Sequence, residues 1–542
     1  MPPRQTPPRQ TPPCTMRLSS AGRPADPASE TIAEEPTGTP TRRTLLQGAA
    51  LLGLAPGAAL AQGGRRPAAG DAAKETKPEP PKPEAAAEAP ARTLTAGPGK
   101  LRLRDEPAAE TAAWRFDGKA APPVLRIKLG EELRLKVENG TDKPLSLHWH
   151  GVRNRNAMDG VGGVTQAPIA PGGDFTYAFT PPDAGTFLMR PLVVGGSSEP
   201  SGRGLAGLLI VEEKAPPAVD ADVALLMQDW RLESDASLMP FGQTLLAASN
   251  GRLGNLVTVN GRPVPDIFEA RPGARVRVRI ANACNARGTR IRFDGMKVYV
   301  AAVDGQPTDT FEPLRATLPF PPGTRYDLLV DLPPEPGAKG AISALIGQGL
   351  VLASVVTKGE PISEKRGPIA PIGENKLLPA EIKLQNAVRR DVILTGGAIV
   401  PKDGAQNPGK DAPKDISKDA PKDRPQPEPV FTGDPAKVWS VNGASGAPGL
   451  APIFSVKRGQ VVVLALRNDT AFPQGLHLHG HVFRLLHPLD DGWEPYWLDT
   501  FQLLEGRTAR IAFLADNPGR WLISATVLER FDTGLWTCFE VT

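Results

Sequence analysis

The segment Gly459-Gln-Val-Val-Val-Leu-Ala-Leu-Arg-Asn468 decides the fold, because related copies of it occur at residues 130–139 and 273–282. All three copies share the same spacing from glycine to asparagine, and residues 130–139 alternate between apolar and other side chains. This alternation has the period of a β-strand. Turn signals separate many short strands, and helical periodicity is scarce. We therefore predict an all-β chain built from three copies of one Greek-key β-sandwich domain.

Nearly all of the histidine follows the first and third copies of this strand. The chain has six histidines, and all but His487 lie in Leu147-His-Trp-His-Gly151 and Gly475-Leu-His-Leu-His-Gly-His-Val-Phe483. Alternate residues of a strand point to the same face, so each His-x-His motif places two imidazoles side by side. Imidazole is a good ligand for copper, zinc, iron and nickel. The pattern predicts a metal site at equivalent positions of two domains.

The N-terminal part of the chain predicts an export signal. Residues 1–61 contain Arg42-Arg43, a short run of Ala, Gly and Leu, and small residues ending at Ala61. These are the basic region, apolar region and cleavage site of a signal peptide, and the arginine pair is typical of the twin-arginine machinery. We expect a periplasmic protein cleaved after Ala61. Met1 and Met16 are both candidate start residues.

Composition also predicts the domain boundaries. Residues 62–96 and 398–432 are rich in Pro, Lys and acidic residues, so we expect a disordered linker and a low-complexity insertion there. The three domains are then expected at residues 97–215, 219–357 and 433–542.

Charge and cysteine content exclude some functions. The formal net charge is +4, and basic residues are interspersed with acidic ones, so nucleic acid is not expected as a partner. Cys284 and Cys538 lie in different domains and are expected to be buried core residues. A disulfide between them is the alternative in an oxidising compartment.

Several motifs together resemble those of the three-domain multicopper oxidases, the laccase-type family. They are His148-Trp-His-Gly, Asp159-Gly followed by Thr165-Gln-Ala-Pro-Ile-Ala-Pro-Gly172, Arg325-Tyr-Asp-Leu-Leu-Val330, His477-Leu-His-Gly-His-Val-Phe483, Asp499-Thr500 and Asp516-Asn-Pro-Gly-Arg-Trp521. The resemblance covers residues 97–542 and implies three cupredoxin domains. It also implies a type 1 copper that accepts electrons, and a trinuclear copper cluster between the first and third domains that reduces dioxygen.

The resemblance assigns roles to residues that match the family motifs. His148 and His477 match the two ligands of the type 2 copper. His150 and His479 each match one ligand of a type 3 copper. Asp159 matches an acidic residue that assists proton delivery to the cluster.

The remaining ligand positions of the family are occupied by residues unsuited to copper. At the expected histidines of the cluster, the chain has Arg190, Leu192, Ser524 and Thr526. At the four type 1 positions it has Gln474, Ala525, Arg530 and Leu535. A blue copper site needs a cysteine thiolate and two histidines. A type 1 centre, and with it a complete laccase cycle, is therefore not expected.

Two classes of function remain open from the sequence. In the first, one copper ion per chain binds to the four surviving histidines, which are His148, His150, His477 and His479. Such a site would bind or buffer copper, or support limited oxidoreductase activity. In the second, the histidines are remnants, and the chain is a copper-free periplasmic scaffold with an envelope protein as partner. The family includes a copper-free exported member that acts in envelope assembly.

Arg190 bears directly on this choice. It could repel a metal by its charge, or it could pair with Asp159 or Glu199 and replace the metal. The sequence favours metal binding, because both halves of one site are retained and neither half of the others is.

Overall fold

The computed structural model describes residues 91–363, 367–400, 428–486 and 492–542. The predicted export signal, most of the predicted linker, the interior of the predicted insertion and His487 lie outside these residues. Within the described ranges, no helix is long and apolar enough to cross a membrane.

The first domain is a sandwich of two four-stranded sheets. Its strands are β1 (Arg92–Leu101), β2 (Thr111–Phe116), β3 (Val124–Lys128), β4 (Leu133–Asn139), β5 (Leu147–His150), β6 (Asp174–Phe179), β7 (Gly185–Pro191) and β8 (Gly207–Glu212). The sheet orders are β2-β1-β4-β6 and β3-β8-β7-β5. A 3-10 helix spans Asn156–Met158, and α1 spans Ser198–Gly202.

The prediction of a disordered linker over residues 62–96 is wrong at its C-terminal end. Strand β1 begins at Arg92 and pairs in parallel with β4. Leu94 and Ala96 are buried in the core of the first domain. The hydrophobic gain from burying these side chains holds the segment in the sheet.

The second domain has a seven-stranded and a five-stranded sheet. Its strands are β9 (Ala221–Trp230), β10 (Leu256–Val259), β11 (Arg262–Pro263), β12 (Asp266–Ala270), β13 (Arg275–Asn282), β14 (Thr289–Asp294), β15 (Lys297–Val303), β16 (Gln306–Phe311), β17 (Thr317–Phe320), β18 (Arg325–Asp331), β19 (Lys339–Ala344) and β20 (Leu350–Thr357). The sheet orders are β11-β10-β9-β13-β18-β15-β16 and β12-β20-β19-β14-β17. Helix α2 spans Thr244–Ala247, and a 3-10 helix spans Leu314–Ala316.

The third domain consists of two five-stranded sheets. Its strands are β21 (Val388–Gly396), β22 (Trp439–Val441), β23 (Ser455–Val456), β24 (Gln460–Asn468), β25 (Gln474–Leu478), β26 (Arg484–Leu485), β27 (Thr500–Leu503), β28 (Thr508–Ala515), β29 (Gly519–Ala525) and β30 (Trp536–Val541). The sheet orders are β22-β21-β24-β28-β26 and β23-β30-β29-β25-β27. Helix α3 spans Leu528–Asp532.

The third domain begins earlier than the predicted start at residue 433. Strand β21 precedes the predicted insertion at 398–432, yet it pairs in parallel with β24 at the centre of its sheet. Ile399 and Val430 also form a β-bridge at the two ends of the insertion. The insertion therefore interrupts the third domain, and its predicted ends belong to the folded part.

A shared hydrogen-bond pattern explains the glycine-to-asparagine repeat. Each repeat asparagine is the last residue of its strand and is buried. Its side-chain amide donates to two backbone carbonyls, and its side-chain oxygen accepts a backbone N–H two residues later. The three residues are Asn139, Asn282 and Asn468. Each asparagine thus satisfies backbone groups of the loop after its strand and of a segment farther along the chain.

The hydrophobic core supports the two strands that carry the histidines. Every residue of β5 and of β25 is buried. Trp149 of β5 packs edge-on against Tyr177 and Phe179, so the histidines on either side of it face away from this core. Cys284 and Cys538 are buried and unpaired, as predicted.

Candidate metal centre between the first and third domains

Four of the predicted site residues come together in a buried cluster. His148 and His150 are on β5, His477 is on β25, and His479 directly follows β25. Ring centroids are 5.4 Å apart for His148 and His477, and 4.3 Å apart for His148 and His479. His150 stacks on His477 with centroids 3.7 Å apart. All four side chains are buried, so the first and third domains each contribute half of one centre.

His148 and His477 present a free nitrogen to the centre of this cluster. The Nδ1 atom of His148 lies 2.8 Å from the carbonyl oxygen of Asp159, and that of His477 lies 2.9 Å from the carbonyl oxygen of Asp499. A carbonyl can only accept, so Nδ1 carries the proton and Nε2 keeps its lone pair. Both Nε2 atoms are buried, and neither has a hydrogen-bond partner among the described residues. This arrangement is typical of a metal-ligating imidazole oriented by its other nitrogen.

His479 is oriented by a carboxylate. Its Nδ1 lies 3.0 Å from Oδ2 of Asp159, and its Nε2 lies 2.9 Å from Oγ of Ser524. Burial lowers the pKa of His479 to about 3 against the opposing effect of Asp159, so the imidazole is neutral at neutral pH. Ligand atoms of His148, His477 and His479 lie within 4.8 Å of one another. For His479 to bind the same ion through Nε2, the Ser524 side chain would have to turn away from that nitrogen.

Asp159 contacts two histidines from different domains. Burial alone would raise its pKa, but the imidazoles of His479 and His148 hold that pKa far below its usual value. The carboxylate is therefore ionised, and one of its oxygens lies 3.4 Å from Nδ1 of His148. The position suits a residue that orients site histidines of both domains.

His150, like His479, has hydrogen-bond partners at both nitrogens, but one of its partners is a guanidinium. The guanidinium of Arg190 donates to Nδ1 at 3.3 Å. Nε2 lies 2.8 Å from the hydroxyl of Thr500, which in turn donates to Oδ1 of Asp499 at 2.8 Å. Nε2 therefore carries the proton. Burial, His477 and Arg190 lower the pKa of His150 well below its ordinary value. His150 also belongs to a second candidate ligand group with His477 and Asp499.

Of the two alternatives for Arg190, the pairing with Asp159 or Glu199 does not occur in the structure. Asp159 faces His148 and His479, while Glu199 pairs with Arg203 and Lys143. Arg190 instead contacts His150 and the carbonyl oxygen of Thr526 at 3.3 Å. The strand register explains this, because Arg190 on β7 lies directly opposite His148 on β5. Its long side chain reaches past that partner toward the third domain.

A second guanidinium occupies the region where the resemblance implies the type 1 copper. Arg530 donates to Oε1 of Gln474 at 2.5 Å and to the carbonyl oxygen of Pro473 at 2.6 Å. It also donates to the carbonyl oxygen of Ser249 in the second domain, at 2.6 Å from Nη2. Its charge lies over the rings of Trp439 and Phe472. Arg530 and Gln474, which both stand where the family has type 1 copper ligands, are thus hydrogen-bonded to each other.

The other residues that stand at expected copper-ligand positions are also buried. Leu192, Ala525 and Leu535 belong to the hydrophobic core. Ser524 pairs in register with His477 and contacts His479. Thr526 follows β29, and its hydroxyl is buried without a partner. None of these side chains offers a strong copper ligand.

Sequence reasoning missed the residues that support His477 from the second domain. Arg325 binds Asp499 with both nitrogens of its fork, at 2.9 and 2.6 Å, and all of these atoms are buried. Asp304 accepts the backbone N–H groups of Asp499 and Thr500 at 3.3 and 3.1 Å. Burial and Asp499 raise the pKa of Asp304 to about 7. The motifs containing Arg325 and Asp499 were visible in the sequence, but their contact was not.

Family models described as multicopper oxidase match residues 101–216, 221–344 and 419–542. The chain belongs to the multicopper oxidase family. It is 29% identical to the multicopper oxidase MmcO of Mycobacterium tuberculosis over 465 residues, which cover 80% of this chain and 83% of that protein.

Solved multicopper oxidases share the fold of this chain. The enzyme from Pseudomonas thermotolerans is 30% identical with a TM-score of 0.69, covering 83% of this chain and 99% of that one. The enzyme from Pseudomonas parafulva is 29% identical with a TM-score of 0.68, covering 83% of this chain and all of that one (100%). Multicopper oxidase membership confirms three cupredoxin-like sandwiches and implies copper binding.

His481 completes the multicopper oxidase motif without joining the cluster. It lies among the rings of Phe513, Trp521 and Phe539. Its Nδ1 lies 3.1 Å from the carbonyl oxygen of His479. His481 is therefore placed to fix the backbone that carries a site histidine.

Proposed function

We propose that this protein binds one copper ion per chain between its first and third domains, through His148 and His477 with His479 as a third ligand. One observation carries the proposal: the Nε2 atoms of His148 and His477 are buried, unprotonated and without a partner. An unsatisfied buried nitrogen costs free energy. Two that converge from separate domains are best explained by a shared ion.

The chain prepares these ligands in three ways. The carbonyls of Asp159 and Asp499 fix the two tautomers, and the Asp159 carboxylate orients His479. Arg325 holds Asp499 in place from the second domain. Burial excludes bulk water from the imidazoles. Copper bound here would supply a one-electron redox centre.

A full trinuclear cluster and an electron entry site are not part of the proposal. The guanidinium of Arg190 contacts Nδ1 of His150 and adds a positive charge next to it. Arg530 and Gln474 bind each other where type 1 ligands would be needed. We therefore propose at most limited oxidoreductase activity, without efficient coupling of phenol oxidation to dioxygen reduction.

The decisive experiment is copper loading followed by desalting. The wild-type protein should retain about one copper per chain, with the spectrum of a copper lacking thiolate ligation. Its thermal midpoint should rise, because the ion binds only the folded state. The double variant His148→Ala/His477→Ala should lose both the copper and the stabilisation.

Two histidine variants serve as controls in the same experiment. His150→Asn should retain the copper, because His150 is not a ligand in this proposal. His487→Ala should also retain it, since that residue lies outside the two His-x-His motifs. A wild-type protein that emerges without copper and without added stability would refute the proposal.

A copper-free envelope scaffold is the second candidate, and the two buried guanidiniums favour it. Arg190 and Arg530 each place a fixed positive charge where the family has a copper-ligating histidine. If they replace the metal, the unloaded protein should be fully folded. It should also bind an envelope protein equally well before and after treatment with a copper chelator.

We also propose export to the periplasm by the twin-arginine machinery, with cleavage after Ala61. Arg42-Arg43 and the apolar run that follows them support this. Replacing both arginines by lysine should retain the full-length chain in the cytoplasm, as measured by cell fractionation and mass. Periplasmic mature protein from that variant would contradict the proposal.

A further inference from the structure

A groove runs along the region where the three domains meet. It begins in a cavity of about 740 Å³ whose walls come from the loop after β7 and α1 of the first domain, α2 of the second domain and α3 of the third. A second cavity of about 530 Å³, between the first and second domains, shares Glu199 and Phe241 with it. None of the four cluster histidines lines either cavity. We call the two joined cavities the three-domain groove.

The size and lining of the three-domain groove favour an extended ligand. Each cavity alone has the volume of a small-molecule pocket, so the pair offers more room than one small ligand fills. Apolar side chains lie on both sides of the junction, with Val193, Val194 and Leu246 in the first cavity and Leu238 and Met239 in the second. Such a surface suits the apolar side chains of an extended peptide.

Acidic side chains outnumber basic ones along the groove. Its basic residues are Lys143, Arg203 and Arg252, and its acidic residues are Glu110, Glu199, Asp235, Glu529 and Asp532. Lys143 and Arg203 both pair with Glu199. Arg252 donates to backbone carbonyls of the second domain and stacks on Phe241. The basic groups are thus already engaged, and the charge left over along the groove is negative.

Glu529 marks the buried end of the groove. It is 8% exposed, and its Oε1 accepts the side-chain N–H of Asn285 at 3.0 Å. Its Oε2 is buried and has no hydrogen-bond partner among the described residues. Burial raises the pKa of this carboxyl, and a cation entering the cavity would offset that cost. Asp532 differs, because it already accepts the backbone N–H groups of Ser197 and Ser198.

Glu110 and Asp235 mark the exposed end, in the second cavity. Asp235 accepts the backbone N–H and the hydroxyl of Ser237. Neither carboxylate forms an ion pair within the ranges that the structure describes. The two ends of the groove therefore each present negative charge without a paired cation, and the apolar surface lies between them.

We propose that the three-domain groove binds an extended segment of a partner protein that carries arginine or lysine at two separated positions. One cation would contact the free oxygen of Glu529, and the other would contact Glu110 and Asp235. Apolar side chains between the two cations would pack against Phe241 and its apolar neighbours. The inference does not depend on copper binding, and it gives the scaffold candidate a specific docking surface.

The test uses a fluorescent peptide that alternates valine with arginine, and a matched peptide with glutamate in place of each arginine. The wild-type protein should bind the arginine peptide saturably, as measured by fluorescence anisotropy, and should not bind the glutamate peptide. Glu529→Gln should weaken binding about tenfold, because a charge-assisted hydrogen bond is lost. Glu110→Gln/Asp235→Asn should weaken it about threefold, since exposed ion pairs contribute less.

The control variant Asp294→Asn/Asp469→Asn removes two exposed carboxylates outside the groove and should leave the affinity unchanged. Equal weakening in this control would show unspecific attraction to an acidic protein and would overturn the proposal. Equal affinity for the two peptides would overturn it as well. The exposed pair Glu110 and Asp235 tests the groove independently of any effect of Glu529→Gln on folding.

Arginine amide separates a peptide groove from a pocket for one small cation. It should displace the peptide only at far higher concentration, because it reaches one end of the groove at a time. Displacement at a concentration similar to that of the peptide, with no effect of Glu110→Gln/Asp235→Asn, would replace the peptide proposal by a small-cation pocket. Titrations with and without added copper should agree, so a failure of the proposed copper site would leave this result intact.

Discussion

At the scale of single residues, the proton on each imidazole distinguishes the site histidines better than their positions do. His148 and His477 donate from Nδ1 to carbonyls and keep Nε2 free, whereas His150 donates from Nε2 and accepts from Arg190. The four histidines are therefore not equivalent ligands, as the His-x-His motifs alone would suggest. The neighbours of each ring decide which nitrogen can bind a metal.

Arg530 gives a prediction at the same scale. Arg530→Leu would leave the carbonyls of Ser249 and Pro473 and the amide of Gln474 buried with lost partners. We expect a loss of unfolding free energy on the order of 2–4 kcal/mol, measured by denaturant titration.

The control for this prediction is Arg467→Leu. Arg467 is an exposed arginine that pairs with Asp469 at the surface, and its replacement should change stability little. Copper retention should be unchanged in Arg530→Leu, because the residue does not contact the histidine cluster. A variant as stable as wild type would show that Arg530 is not what holds this region together.

At the scale of elements, the repeated strand and its terminal asparagine place the two His-x-His motifs in register. Asn139 and Asn468 close the loops after β4 and β24 with the same hydrogen bonds, and β5 and β25 follow. The repeat was sufficient to predict that both motifs occupy equivalent positions. It could not place β21 in the third domain, because the pairing partner β24 lies beyond the insertion in sequence.

At the scale of the whole molecule, a half-buried and a buried ion pair connect the domains around the histidine cluster. Arg153 in the first domain binds Asp183 at 2.8 Å and Asp516 of the third domain at 3.1 Å. Arg325 links the second domain to Asp499 of the third. Removing one partner of the buried pairs Arg153–Asp183 or Arg325–Asp499 costs about 3–5 kcal/mol. The relative position of the two His-x-His motifs thus depends on ion pairs between residues that are distant in sequence.

The Asp183 carboxylate should make the stability of the folded protein depend on pH. Burial would raise its pKa, but the Arg153 guanidinium and other hydrogen bonds hold the pKa below its ordinary value. A carboxyl whose pKa is lower in the folded state contributes stability above its unfolded pKa, near 4, and loses it as the pH falls. The gap in thermal midpoint between wild type and Asp183→Asn should therefore be large at pH 7. It should shrink as the pH falls below about 4.

Two further observations bear on this pH prediction. Replacing the exposed Asp469 by asparagine should give a small gap at every pH, because that carboxylate pairs only at the surface. A gap for Asp183→Asn that widens on acidification would contradict the assignment.

The sequence by itself determined the all-β class, the three repeated domains, the family and the residues that form each half of the histidine cluster. These follow from local patterns: strand alternation, a terminal asparagine and His-x-His spacing. Only the tertiary structure decided the partner of Arg190, the protonation of His150 and the contact between Arg530 and Gln474. Those depend on which side chains meet across sheets and domains, and a hydrogen bond between distant residues leaves no periodic signal in one sequence.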